Sequence, residues 1–156
     1  MIDVSTDQSL SLAPQQYVLF DLDGTLINVN SITHLIGQWE DFAEATLSCP
    51  PHERMVKFAR FCQGIAEVIV VTGKSEVYYP RVLDWLRLQG IMPEVVLMRP
   101  QLNSESDATL KPRLIRQYLG EDWRDQVLFA VEDRDKMVEA WRALDVVCLQ
   151  CAPSLY

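Results

Sequence analysis

Short runs of β-branched and aromatic residues alternate with stretches of helical periodicity along most of this chain, and that alternation narrows the fold more than any other feature. Residues 17–20, 68–71, 95–98, 127–131 and 146–149 are apolar at consecutive positions. Each run is long enough for a strand buried on both faces and too short for a helix. Between them, residues 52–62 place Met55, Val56, Phe58, Ala59 and Cys62 at helical spacing. Residues 81–88 do the same with Val82, Leu83, Trp85 and Leu86, and Gly90 stops the helix. Residues 109–119, closed by Gly120, and 135–144 read alike, and Pro80 and Pro112 suit first-turn positions. A further helix through Trp39 and Phe42 is expected inside the irregular stretch 28–51. Strands alternating with helices predict an α/β fold, a central parallel sheet with helices on both faces.

The length of 156 residues suits a single core. Residues 1–16, polar and carrying Pro14, are expected to be a flexible N-terminal tail, and 17–156 the domain. The first residues lack the basic end and apolar run of a signal peptide, and no apolar stretch approaches the roughly 18 residues of a membrane span. A soluble, cytoplasmic protein with no membrane partner is therefore expected. The net charge is −8, from 14 basic and 22 acidic residues. No basic stripe interrupts it, which argues against gripping an extended duplex but leaves a nucleotide or a strand end open as substrate. Cys148 and Cys151 have redox or metal-ligand spacing, but no second Cys or His pair is placed to complete a zinc site. They are expected to be apolar filler at the end of a strand.

The polar residues of interest all follow expected strands, where ligands bind on open parallel sheets. Asp21-Leu22-Asp23-Gly24-Thr25 comes after the first. Phosphoryl transfer can use one Asp as nucleophile and a second to give and take the proton. A turn or a calcium-like loop would have the same Asp-x-Asp spacing. Glu132, Asp133 and Asp135 follow the fourth strand, bringing up to five carboxyls to one end of the sheet. Two like charges about 4 Å apart cost roughly 4 kcal/mol at an effective dielectric near 20, so such a cluster needs a cation. All-oxygen ligands favour magnesium. The plainer alternative is an acidic helix start, which for Asp135 suffices. Thr72-Gly73-Lys74, after the second strand, offers a hydroxyl and backbone N–H groups to phosphate oxygens. Lys111, near a helix start, gains nothing from the helix dipole, and an anionic partner is expected for it.

In order, Asp-x-Asp-Gly-Thr, strand-Thr-Gly, a lone Lys and a late acidic pair resemble the four motifs of the haloacid dehalogenase (HAD) phosphohydrolases. Leu97-Met98-Arg99-Pro100, Asp107 with Lys111, and Val131-Glu132-Asp133-Arg134 running on to Val138-Glu139-Ala140-Trp141-Arg142 are similar to the 3′-phosphatase domain of phage polynucleotide kinases and its stand-alone relatives. The resemblance implies a Rossmann-like HAD fold with Asp21 as nucleophile, Asp23 as acid/base, and Thr72 and Lys111 on nucleophile and phosphate. It implies substrate contacts from Gly73, Lys74 and Arg99, and Mg2+ held among Asp21, Asp23, Glu132 and Asp133. Lys74 stands where relatives often have Arg, Asn103 and Glu105 where they commonly have Asp and Arg, and Glu132 where they usually have Asp.

Little chain is left for a cap, so no large cap domain is expected, and the full Gly-x-x-x-x-Gly-Lys-Ser/Thr loop of a kinase is missing, since Val68 stands five residues before Gly73-Lys74-Ser75 where that loop has glycine. The expected activity is Mg-dependent phosphomonoester hydrolysis, most simply of a 3′-phosphate on a nucleotide or nucleic-acid end. A nucleotidase acting on free mononucleotides and a degenerate relative that only binds are the alternatives. His34 and His52 belong to no metal motif. Trp39 and Phe42, at i and i+3, are expected to pack rather than to stack on a base, and Trp85, Trp123 and Trp141 to lie in or beside the core.

Overall fold

The computed structural model describes residues 15–156, so the expected tail falls almost wholly outside the described residues. Five strands form one parallel sheet: β1 (Tyr17–Phe20), β2 (Glu67–Ser75), β3 (Val95–Arg99), β4 (Val127–Glu132) and β5 (Cys148–Gln150), in spatial order β3-β2-β1-β4-β5. The chain steps outward from β1 through β2 to β3, then crosses back to the other side of β1 for β4 and β5. Strand order therefore reverses between β1 and β4, which opens a crevice at their carboxyl ends.

Among the described residues, six α-helices accompany the sheet: α1 (Trp39–Thr46), α2 (Glu53–Cys62), α3 (Tyr79–Leu88), α4 (Asp107–Leu119), α5 (Trp123–Gln126) and α6 (Asp135–Ala143). Alternate strand residues point to opposite faces, and the core divides accordingly. Val18, Phe20, Val68 and Val70 pack with Val56 and Ala59 of α2 and Val82 and Leu86 of α3. Leu19, Ile69, Val71 and Ala130 pack with Ile115 of α4 and Met137, Val138 and Trp141 of α6. Burying one such side chain is worth about 1.5–3 kcal/mol, so both layers contribute heavily. No large cap stands over the sheet among the described residues; 3-10 turns at Asn30–Leu35 and helix α1 occupy the first crossover before α2.

Two local expectations change. Helix α4 starts earlier than its apolar periodicity suggests, because Ser106 caps it by accepting from the Thr109 N–H. Pro112 consequently lies inside the helix rather than in its first turn. Strand β2 runs on through Thr72-Gly73-Lys74 to Ser75, but its register against β3 shifts between Val71 and Ser75. The phosphate-binding candidates thus sit in a strand irregularity instead of a turn beyond the strand. No helix among the described residues is long and apolar enough to cross a membrane.

Candidate active site

The loop after β1 folds back on itself. The Leu26 and Ile27 N–H groups both donate to the Leu22 carbonyl at 2.9 Å, and Gly24 N–H donates to the Ile27 carbonyl at 2.9 Å. Gly24 has φ of +90°, and a Cβ there would overlap the Asp133 carboxylate. Glycine is required twice, for the backbone conformation and for the approach of β4's acidic end.

Lys111 organises the centre. Its side chain is fully buried and its ammonium donates to Asp21 Oδ1 at 2.6 Å and to Glu132 Oε1 at 2.7 Å. Burial opposes its charge, but the two carboxylates outweigh burial and hold the proton more tightly than on a free lysine. Trp141 of α6 adds an indole N–H to Glu132 Oε1 at 3.3 Å. Glu132 and Asp133 are both buried, and burial pushes both carboxyls above the ordinary range, with Asp21 adding to the effect. Glu132 Oε2 and Asp133 Oδ2 have no hydrogen-bond partner. Buried carboxylate oxygens are not normally left bare. Oxygens of Asp21, Glu132 and Asp133 lie within 4.8 Å of one another, a spacing that suits one shared cation. That donor set fits a hard cation.

Asp23, two residues on, is turned elsewhere. Its Oδ2 lies 3.1 Å from the ammonium of Lys74, and its side chain does not join the three-carboxylate cluster. Lys74 in turn donates to Thr46 Oγ1 at 2.6 Å and to the Ala43 carbonyl at 2.9 Å, both on α1. An ammonium committed in this way, with its side chain wholly buried, faces Asp23 rather than an incoming phosphate. Burial raises the Asp23 carboxyl, Lys74 opposes this, and Asp21 adds to the rise. Thr72 is buried beside them; its Oγ1 accepts from the Lys74 backbone N–H at 3.1 Å, which leaves the hydroxyl proton free to donate.

Arg99 is likewise engaged. It donates to the Gly73 carbonyl at 2.9 Å, to Asn103 Oδ1 at 2.9 Å, and to Asp107 Oδ1 at 2.5 Å. Arg134 meets the other oxygen of Asp107. Asp107 lies so close to Gly73 that a Cβ there would overlap its carboxylate. Glu105 pairs with Arg113 at 2.5 Å and accepts from the Asn103 amide at 2.6 Å. Asn103 thus holds Arg99 on the cleft wall, and Glu105 holds Arg113 of α4.

One cleft of about 920 Å3 has Asp21, Asp23 and Thr72 in it and Arg99, Glu105, Arg134, Trp39 and Tyr156 around it. Neither His34 nor His52 lines it. Cys148 and Cys151 are free thiols, pushed up to about 12 and about 11 chiefly by burial, and stay protonated at neutral pH. Thr46, Arg134 and the Trp141 indole were not singled out as site residues in the sequence. Arg134 had a signal, its place directly after Glu132-Asp133; Thr46 had none, because only the docking of α1 brings it to Lys74. Trp39 packs on Phe42 and Tyr156, but unlike Phe42, which is buried, it stays 56% exposed.

Comparison with curated protein sequences returned no match. Solved structures give the fold. A Pnkp1 chain from a Pnkp1/Rnl/Hen1 complex aligns at 23% identity and TM-score 0.75, over 92% of this chain and 48% of that one. A second, described as an RNA repair complex, gives 22% and 0.75, over 96% and 48%. This chain therefore spans about half the length of either. A phosphatase-like protein of Clostridium difficile gives 13% and 0.62, over 88% and 85%. CbbY of Rhodobacter sphaeroides, solved with phosphate, gives 14% and 0.56, over 90% and 88%. A family model for the polynucleotide kinase PNKP phosphatase domain matches residues 15–156, and those residues contain the whole constellation around Lys111. With that match spanning the sheet, its crevice and every carboxylate in it, the chain belongs to the PNKP phosphatase-domain family and is a HAD-type phosphatase.

Proposed function

We propose that the protein is a Mg-dependent phosphomonoester hydrolase working through an aspartyl-phosphate on Asp21, and that it removes 3′-phosphates from nucleotides or nucleic-acid ends. The observation that carries this reading is the buried pairing of Lys111 with Asp21 and Glu132, beside two carboxylate oxygens left bare. Asp21, Glu132 and Asp133 would hold Mg2+, which when bound neutralises charge between carboxylates and phosphate.

The chain's own residues divide the reaction. Lys111 fixes one oxygen of Asp21, leaving the other to attack phosphorus. As that bond forms, the bond from phosphorus to the leaving oxygen breaks, and Asp23 gives its proton to the departing alkoxide. An elevated carboxyl at Asp23 suits a group that must carry a proton near neutral pH. In the second half Asp23 takes a proton from water, whose oxygen attacks the same phosphorus, and the bond to Asp21 breaks to release phosphate. Thr72 can donate to a phosphate oxygen throughout. Lys74 and Arg99, expected on substrate, act on this reading as supports: one for Asp23, the other for Gly73 and the cleft wall.

The family membership and the RNA repair complex in which a similar fold was solved support a nucleic-acid end as substrate. The acidic net charge favours the second reading, a nucleotidase on free mononucleotides, since short substrates bring fewer phosphates to a chain of charge −8. A panel of 3′- and 5′-phosphorylated mononucleotides and oligonucleotides separates the two. Preference for 3′-phosphorylated ends is expected. Preference for free 5′-nucleotides would overturn it.

A further inference from the structure

We propose that Trp39, with Tyr78 of the same cleft, forms a base-stacking subsite for the nucleoside whose phosphate lies at Asp21. The inference rests on the reading of the protein as a phosphatase of nucleotide or nucleic-acid ends. Trp39 and Phe42 share one face of α1, yet only Phe42 is buried, at 4% exposure against 56% for Trp39. The indole is held rather than loose. Phe42 meets it edge-on at 6.0 Å between centroids, and the Tyr156 ring lies tilted against it at 5.8 Å. Its exposed surface lines the same cleft as Asp21 and Asp23.

The spacing fits one nucleotide. From Asp23, Lys74 is 3.1 Å away and reaches the Ala43 carbonyl at 2.9 Å. Ala43 stands one helical turn, about 6 Å along the axis, from Trp39. The same ammonium sits 5.4 Å over the ring of Tyr78, another lining residue. A phosphate at Asp21 would thus leave its own base within reach of these rings.

Charge supplies the second reason. A chain of net charge −8 with no basic stripe gains little affinity from long contact with a phosphate backbone. Arg99 and Arg134, the arginines of the cleft wall, are both paired with Asp107. Stacking is indifferent to that balance, and it tolerates any base because every base has a π face.

The test measures kcat/KM for a short 3′-phosphorylated oligonucleotide whose terminal nucleoside carries a base, against one whose terminal sugar is abasic. Wild type, Trp39→Ala and Trp39→Phe are compared. Wild type should prefer the base-carrying end by about ten- to a hundredfold. Trp39→Ala should lose most of that preference through KM, and Trp39→Phe should recover part of it. Because Trp85, Trp123 and Trp141 are buried, binding of a 3′-phosphorylated nucleotide to Asp21→Asn should quench mainly Trp39. The quench should vanish when Trp39→Phe is added, which gives a readout even if Trp39→Ala fails to fold. An unchanged preference in Trp39→Ala, or a quench that survives Trp39→Phe, overturns the subsite. Equal action of wild type on both ends overturns it and leaves the phosphatase reading standing. Hydrolysis of nitrophenyl phosphate with no action on any nucleotide end overturns both.

Discussion

Asp21 and Asp23 are two residues apart, yet each meets a different lysine from a different element. Asp21 takes Lys111 of α4 and Asp23 takes Lys74 of β2. Separate partners allow two identical side chains to serve as nucleophile and as proton carrier. Asp21→Asn should abolish turnover, because an amide is a poor nucleophile, while circular dichroism stays close to wild type, since Lys111 keeps Glu132 as partner. A folded variant with wild-type turnover would end the mechanism. Asp23→Asn should be selective. Positioned acid–base groups contribute about 10²–10⁴-fold, and mostly where the leaving oxygen needs a proton. The loss should therefore be large on an alkyl phosphate and small on nitrophenyl phosphate. Equal losses on both would remove Asp23 from the proton-transfer role.

At the scale of elements, Lys74 fastens α1 to β2 and Asp23 at once. Removing one partner of a buried pair leaves the other charge without compensation, at about 3–5 kcal/mol. Lys74→Met should show a loss of that order in urea unfolding. The double variant with Asp23→Asn should regain part of it, since the stranded carboxylate is gone. A double variant as unstable as the sum of its parts would mean that the pair is not coupled. The segment from β3 to α4 carries another such fastening, Glu105 to Arg113 and Asn103. The short contacts with Arg113 and Asn103 hold the Glu105 carboxyl below its ordinary range. Glu105→Gln would remove one negative charge from the cleft wall and release Arg113. The ratio of kcat/KM for a 3′-phosphorylated oligonucleotide over a 3′-mononucleotide should rise, and the rise should shrink with added salt. A ratio that stays put at low salt would show that this wall does not meet the substrate.

For the whole molecule, the buried carboxylate cluster ties folding to pH, and on the proposed function to metal as well. Burial pushes Glu132 up to about 8 and Asp133 up to about 7. An unfolded carboxyl titrates near 4. Between those limits the folded state binds more protons than the unfolded one, so stability falls as pH rises. Without metal, the melting temperature should decline from about pH 4 to about pH 8. Mg2+ held by the folded cluster, as proposed, would add about 2.7 kcal/mol at a hundred times its Kd. For a chain of this size that is about 5–10 °C in melting temperature. Magnesium should therefore flatten the decline, and EDTA should restore it and abolish activity reversibly. Melting that is independent of both pH and magnesium would place the cation elsewhere.

The strand–helix alternation was enough to give a parallel sheet covered on two faces, because both periodicities are local properties of the backbone. The order of Asp21, Asp23, Thr72, Lys111, Glu132 and Asp133 likewise carried the resemblance to the HAD phosphatases, which the family match bears out. Composition and spacing could not say which carboxylate would meet which cation. Lys74 and Lys111 are equivalent as letters; packing of β2 against α1 gives the first to Asp23, and the reach of α4 gives the second to Asp21 and Glu132. Nor could helical spacing separate Trp39 from Phe42, since one α1 face carries both. The cleft decided that, for only the tertiary arrangement determines which part of an apolar face meets another element and which meets water.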